Sequence, residues 1–371
     1  MKKIKLIIKT KSKKYPIIIG SKIINRASNI FKSNNIFFEK SLIIYDTKVP
    51  IKNLNILKKN IKAKTKIVHH FNSSEKNKNL KNINSILNKL FKLNFNRNDC
   101  IISLGGGITG DVSGFAASIY KRGLKFINVP TTLLAQVDSS IGGKTGVNSK
   151  YGKNSIGSFY QPELVLIDNI FLKSLNKRQM ICGYAEILKH SIINDKNFFN
   201  WLKLNSEKIF KKEKSDDIIL KAIIKSCIIK SKIVSQDFQE KKLRMILNFG
   251  HTFAHAIEIE SKYSNKINHG EAVLMGMLIA TIFSVKKKIC SKSTLGEILN
   301  IYKKNNLNYI IKKTKILNLN RIYSFLKYDK KNNDKKVNLI LIKKIGKTTE
   351  PGSHKYSIIQ IKKTLSSFKL F

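Results

Sequence analysis

The stretch CIISLGGGITGDVSGFAASIYKRG (residues 100–123) decides the fold: an apolar run of strand length enters a cluster of glycines and continues into a second apolar segment. Gly105, Gly107 and Gly110 keep the G-x-G-x-x-G spacing, in which missing side chains let backbone N–H groups at a helix start approach a pyrophosphate. The usual dinucleotide fingerprint also carries an acid roughly 20 residues further on to hold a ribose. Here that neighbourhood reads NVPTTLL and has none. The candidate ribose acids, Asp46 and Glu75, lie upstream, and Asp111 directly follows the last glycine. A tight strand-to-helix turn that binds nothing would satisfy the same glycines.

On either side of this stretch, short β-branched runs occur at SLIIYD (41–46), TKIVHH (65–70), LKFINVP (124–130) and ELVLID (163–168). Between the first two and residue 100, Ile83, Ile86, Leu87, Leu90 and Phe91 recur at helical spacing. Alternating strand and helix predicts an α/β unit with a mainly parallel sheet. After about residue 176 long helical periods take over, as in AEILKHSII and HGEAVLMGMLIATIF. The expected organisation is an N-terminal α/β domain over residues 1–175 and a C-terminal all-α domain over residues 176–371.

Two further glycine-bearing loops follow the opening stretch, VPTTLLAQVDSSIGGKTGVN (129–148) and GKNSIGSFYQP (152–162). Each brings a threonine, aspartate or lysine beside its glycines, which predicts one polar anion-binding site assembled at strand ends. The chain carries 71 Lys and Arg against 23 Asp and Glu, a formal net charge of +48. The lysines are spread through every segment, with no concentrated basic helix and no interleaved aromatic motif, so the charge reads as solvated surface that favours small acidic substrates rather than nucleic acid. Lys11 and Lys13, in the N-terminal run, are expected to be solvated and functionally silent. Cys100, Cys182, Cys227 and Cys290 lie far apart and suggest a reducing compartment. The N-terminal apolar run is too short for a signal peptide, and the run at 272–283 is shorter than a membrane span, so a cytoplasmic protein with no membrane partner is expected.

In NFGHTFAHAIEIE (248–260), His251 and His255 stand four apart on one helix face. The pattern is close to the H-E-x-x-H of zinc proteases, but Thr252 stands where the general-base glutamate belongs, so protease chemistry is excluded. A third histidine, His269 in NHGEAV, precedes another helix, and Glu186 lies in the apolar segment CGYAEILKH. A glutamate with two of these histidines would give three protein ligands and leave positions open for substrate, as catalytic zinc requires.

In order and spacing these motifs, with GGGITGDVSGFAASIYKRG and YDKKNNDKKVNLILIKKIGK (328–347), resemble the 3-dehydroquinate synthases of the sugar phosphate cyclase superfamily. The resemblance implies an NAD-binding α/β domain followed by an all-α metal-binding domain, usually in a homodimer. It implies a lyase that converts 3-deoxy-D-arabino-heptulosonate 7-phosphate to 3-dehydroquinate and phosphate in the shikimate route to chorismate, using catalytic NAD and zinc or cobalt. By matching positions, Glu186, His251 and His269 would hold the metal. NAD would be met by Asp46, Ser73, Ser74, Glu75, Lys78, Gly107, Ile108, Thr109, Gly110, Asp111, Thr131, Thr132, Asp138, Lys144, Lys153, Phe171, Leu172, Lys173 and Ser174. The anionic sugar phosphate would meet Arg122, Lys144, Asn154, Lys189, Lys230, Glu240, Arg244, Asn248, His255 and Lys331, of which His255, Lys144, Glu240 and Lys189 would be catalytic. Ile108-Thr109, Ser74 and Gly146 depart from the family pattern, and none of them replaces a charged or metal-binding group. The alternatives are another sugar phosphate cyclase and a metal-dependent alcohol dehydrogenase of the glycerol-dehydrogenase type, which would consume NAD.

Overall fold

The computed structural model describes residues 3–210, 216–261, 266–315, 317–326 and 336–366. The chain divides into two compact units, residues 1–180 with 216–239 and residues 181–215 with 240–371. A division at residue 175 would therefore misplace one long helix, Asp216–Gln236, which belongs to the first unit. Its periodicity shows that it is a helix but not which neighbour it packs against.

In the first unit the chain runs through β1 (Ile4–Lys9), β2 (Lys14–Gly20), α1 (Ala27–Lys32), β3 (Lys40–Asp46), α2 (Ile51–Lys59), β4 (Thr65–Phe71), α3 (Leu80–Lys92), β5 (Cys100–Gly105), α4 (Gly107–Ile119), β6 (Lys125–Pro130), β7 (Lys144–Ser149), β8 (Gly152–Phe159) and β9 (Leu164–Asp168). After α5 (Lys177–Asn194) and α6 (Lys196–Ile209), α7 (Asp216–Gln236) completes the unit. One seven-stranded sheet has the order β1-β2-β9-β6-β5-β3-β4. Every pairing in it is parallel except β1 with β2, an antiparallel edge hairpin formed from the lysine-rich N-terminal stretch.

Both faces of the sheet are covered, as a parallel sheet requires, and its strands accordingly read as continuous apolar runs. Successive residues of β3 show this directly. Ile43 and Tyr45 join a core with Phe31, Leu57 and Leu166, whereas Leu42 and Ile44 join a second core with Ile86, Leu90 and Val112. The strand order reverses between β3, whose outer neighbour is β4, and β5, which continues inward to β6. The carboxyl ends of β3, β5 and β6 therefore sit side by side at a topological switch point, the usual place for a ligand in such a sheet. Residues 144–149 and 152–159, which read as polar loops in the sequence, instead pair as the antiparallel hairpin β7–β8.

The second unit is helical, with α5 continuing into it, α6, α8 (His251–Glu260), α9 (His269–Lys286) and α10 (Lys292–Lys304) among its main elements. Two short antiparallel ribbons, Lys336–Asn338 with Lys355–Ser357 and Ile342–Lys344 with Lys347–Thr348, qualify the all-α expectation. Helix α9 is long and apolar enough to cross a membrane by length and composition, but 83% of its apolar window is buried inside the structure, as in a core helix. It packs against α8 at very close range. A Cβ built on Gly276 would lie 2.1 Å from the carbonyl oxygen of Gly250, and Gly250 itself has a left-handed φ of 79°.

That contact cannot accommodate a methyl group without moving one helix. Gly276→Ala is expected to cost roughly 1–3 kcal/mol and to lower Tm by several degrees. Gly296→Ala, where an added Cβ meets nothing within 4 Å, should be neutral or slightly stabilising, since it only restricts the unfolded chain. Equal melting temperatures for the two variants would show that the α8–α9 contact is not tight.

Candidate functional site

In the second unit Glu186, His251 and His269 converge. Their ligand atoms all lie within 4.8 Å of one another. Glu186 is in the middle of α5 and fully buried, whereas His251 and His269 are the first residues of α8 and α9. The start of α9 is fixed by a capping box, in which the Asn268 side chain accepts from Glu271 N (2.9 Å) and Glu271 Oε2 accepts from Asn268 N (2.9 Å). Gly270 then comes so close to α5 that an added Cβ would stand 2.3 Å from the Cα of Cys182, one turn before Glu186.

Glu186 Oε1 is 3.7 Å from His251 Nε2 and 3.9 Å from His269 Nε2. These separations are too long for hydrogen bonds, but they approach the spacing of about 3.4 Å between two ligands on a tetrahedral ion with bonds near 2.1 Å. Both Glu186 oxygens are buried without a hydrogen-bond partner, although Oε2 is in ion-pair contact with the equally buried Lys189. A carboxylate oxygen left this way is costly unless a cation completes its surroundings, so the donor set fits a divalent metal. Sequence spacing left open which two histidines would serve, and His251 and His269 are the two whose ligand atoms lie within 4.8 Å of one another and of Glu186. His255 is exposed, and its ring lies nearly perpendicular to that of His251, with centroids 5.6 Å apart.

Glu258, which the sequence reading did not single out, also belongs to this group. Its Oε1 lies 3.3 Å from His269 Nδ1. Burial alone would lower the His269 pKa, but the hydrogen bond and charge of Glu258, with the charge of Glu186, outweigh it and raise the value. The signal was available in the sequence, because Glu258 follows His251 by seven positions and His255 by three and so shares their helix face.

Of the expected substrate residues in this unit, Arg244 is almost fully buried and Asn248 Nδ2 donates to Glu240 Oε1 (2.7 Å). Glu240 has a left-handed backbone, φ 61°. Lys331 lies outside the described residues.

The first unit gathers most of the expected cofactor residues at its switch point. Asp46 ends β3, where its Oδ2 accepts from Ser73 Oγ (2.7 Å), with Thr109 Oγ1 3.5 Å away. Gly105 ends β5, its carbonyl accepts from Thr131 N (2.9 Å), and α4 begins at Gly107 with no side-chain cap on its first N–H groups. The turn glycines serve close approach rather than unusual backbone angles, since a Cβ on Gly107 would meet Ser139 Oγ at 2.7 Å. Lys78, 5% exposed, pairs with Asp111 Oδ2 at 2.5 Å and donates to Asn154 Oδ1. Asn148 links this pair to Glu75 (Nδ2 to Oε2, 2.8 Å), whose other oxygen faces Lys153 at 3.5 Å. Asp138 Oδ1 accepts from Lys230 (2.6 Å).

Other expected contacts in this unit have different surroundings. The side chains of Phe171 and Leu172 are buried, and Phe171 belongs to the core on one sheet face. Ser174 Oγ bonds back to the Phe171 carbonyl, and Lys173 faces Asp216 at 3.5 Å. Arg122 is exposed in a left-handed pair with Lys121, and Lys144 is exposed at the start of β7 after two left-handed glycines. Ser74 accepts from Asn77 N in a local turn, and Thr132 Oγ1 accepts from Ala135 N. Lys13, expected to be solvated, pairs with Glu163 at 2.5 Å, because β2 carries it beside β9.

The chain matches two family models, 3-dehydroquinate synthase N-terminal over residues 68–182 and 3-dehydroquinate synthase C-terminal over residues 183–332. It is 54% identical to the 3-dehydroquinate synthase of Pelagibacter ubique (strain HTCC1062) over 347 residues, covering 92% of this chain and 93% of that protein. Among solved structures it is similar to 2-deoxy-scyllo-inosose synthase complexed with carbaglucose-6-phosphate, NAD+ and Co2+ (TM-score 0.86, 25% identity, 98% of this chain and 99% of that one). The 2-epi-5-epi-valiolone synthase of Streptomyces hygroscopicus, solved with NAD+ and Zn2+, shares the fold at TM-score 0.82 and 22% identity, over 95% of this chain and 96% of that one.

The Lys78–Asp111 pair gives a test of the first unit's polar cluster. Removing one partner of this part-buried pair leaves the other charge poorly compensated, so Lys78→Met should cost about 2 kcal/mol in urea unfolding. Adding Asp111→Leu should recover most of that loss. A single-variant cost below about 0.5 kcal/mol would mean that water, not Lys78, compensates Asp111.

Proposed function

Because the chain belongs to the 3-dehydroquinate synthase family, we propose that it converts 3-deoxy-D-arabino-heptulosonate 7-phosphate to 3-dehydroquinate and inorganic phosphate, as a carbon–oxygen lyase. The observation that carries this reading is the convergence of Glu186, His251 and His269 around a buried carboxylate oxygen without a hydrogen-bond partner. These three residues would hold the divalent metal, zinc or cobalt, which when bound supplies Lewis-acid polarisation of substrate oxygens. NAD would lie along Asp46, the Gly107–Asp111 turn and Thr131–Thr132, supplying a hydride acceptor that returns its hydride within each turnover. The uncapped start of α4 suits its pyrophosphate, since free N–H groups and the helix dipole both favour an anion.

The chain's own groups would then bind and orient the substrate. The buried Arg244 offers a guanidinium fork suited to a carboxylate, and Lys144, Lys230 and Asn154 offer donors for phosphate and hydroxyl groups. Lys189, held beside Glu186, would offer hydrogen-bond donors to substrate oxygens as they gain negative charge. His255, exposed on α8 with its ring edge-to-face with that of His251, would offer its imidazole to the substrate. Holding both ends of the substrate would restrict it to conformers in which elimination and intramolecular ring closure can proceed. A homodimer in the cytoplasm, with no nucleic-acid or membrane partner, belongs to the same reading.

Purified protein with Zn2+, the heptulosonate phosphate and NAD well below the substrate concentration should release one phosphate per cyclic product, with no accumulation of NADH. Mole-for-mole NADH would indicate a dehydrogenase, and a different carbocycle would indicate another cyclase. In the same assay Lys144→Ala should lower kcat/KM at least about tenfold, the loss of one charge-assisted hydrogen bond, and Lys11→Ala should leave it unchanged. Equal effects of the two substitutions would remove Lys144 from the anion site.

A further inference from the structure

We propose that Glu258 is a positioning residue for the metal site, acting through His269. It rests on the metal reading given above. His269 turns Nε2 towards Glu186 Oε1 (3.9 Å) and its other nitrogen, Nδ1, towards Glu258 Oε1 (3.3 Å). His251 has the same arrangement, with Nε2 facing Glu186 Oε1 (3.7 Å) and Nδ1 lying 3.5 Å from the Phe249 carbonyl. Each imidazole thus has an acceptor behind it on the side away from the shared centre.

An ionised carboxylate can only accept a hydrogen bond, so at that distance Glu258 requires the proton on Nδ1 and leaves the Nε2 lone pair aimed at the ion. Acceptors behind ligating imidazoles fix the tautomer and ring orientation and raise ligand basicity. The two histidines differ in how firmly they are placed. His251 is part-buried, with a side chain 14% exposed, whereas His269 is 32% exposed and has more need of an external hold. Glu258 is itself largely buried on α8, the helix that Gly276 and Gly250 bring into contact with α9. Its separation from Glu186, His251 and His269 as a ligand set is also clear, because it approaches the nitrogen of His269 that points away from Glu186.

The test uses the full chain with Co2+ alone as probe. Affinity is measured by competition with a metallochromic chelator for wild type, Glu258→Ala and Glu258→Gln, and exchangeable ring N–H resonances are recorded for the Co2+-loaded proteins. Glu258→Ala is expected to weaken Co2+ binding about 10–100-fold with an unchanged visible spectrum, the usual range for loss of such a partner. Glu258→Gln, whose amide carbonyl accepts the same bond, should stay within about fivefold of wild type. Wild type should show protected Nδ1–H signals for both His251 and His269, and the alanine variant should lose only the latter. Wild-type affinity in Glu258→Ala would overturn the proposal, as would a changed spectrum in Glu258→Gln, which would make Glu258 a ligand. If the alanine variant does not fold, the His269 Nδ1–H signal in wild type decides, and its absence overturns the proposal. A wild-type protein that binds no Co2+ would instead defeat the metal reading itself.

Discussion

Two backbone contacts hold the helical unit's chemistry in place. Gly276 of α9 lies against the Gly250 carbonyl at the start of α8, and Gly270 at the start of α9 lies against Cys182 of α5. Neither approach is open to a residue with a Cβ, and together they bring the first residues of two helices to the middle of a third. The convergence of Glu186, His251 and His269 follows from this packing. His251 and His269 each open a helix, and Glu186 stands one turn along α5 from the Gly270 contact, so residues up to 83 positions apart in sequence share one centre. The capping box at Asn268 and Glu271 then sets where α9 begins and hence where His269 stands.

The energetic consequence is a site that favours a cation. A fully buried carboxylate without hydrogen bonds is destabilising, and the adjacent Lys189 offsets only part of the cost because two charges have been withdrawn from water to make the pair. A metal bound only by the folded state would return stability through mass action, about 2.7 kcal/mol when present at 100 times its Kd. The first unit balances its charges differently, linking Lys78, Asp111, Asn154, Asn148, Glu75 and Lys153 through direct contacts near the carboxyl ends of the strands. There the formal charge of +48 is locally matched, which is why a count of lysines says little about the site.

The parallel strands were legible because strands buried on both faces carry continuous apolar runs, and β5 occupies residues 100–105 as the opening stretch indicates. The edge hairpin β1–β2 was not, since β1 is short, holds a single buried residue, Ile8, and turns Lys5, Ile7 and Lys9 to solvent, so its apolar signal is weak. The β7–β8 hairpin is built largely from glycine, serine, threonine and asparagine, so its pattern resembles a loop until its partner is known. The helical periodicity of ILKAIIKSCIIKSKIV (219–234) marks the helix Asp216–Gln236 without showing that it packs with the sheet unit. The candidate ligands were visible as types, but which histidines lie nearest Glu186 needed three-dimensional distances, and Glu258 was hidden as an ordinary acid on a helix face.

The packing of α5, α8 and α9 brings Glu186, His251 and His269 to one point where a divalent ion could bind. Anomalous diffraction at the zinc edge from crystals of the Zn2+-loaded protein tests it most directly. The account predicts one dominant peak about 2.0–2.2 Å from Glu186 Oε1, His251 Nε2 and His269 Nε2, with no other protein ligand. A peak bounded by other side chains, or rings of His251 and His269 turned away from a common point, would contradict it.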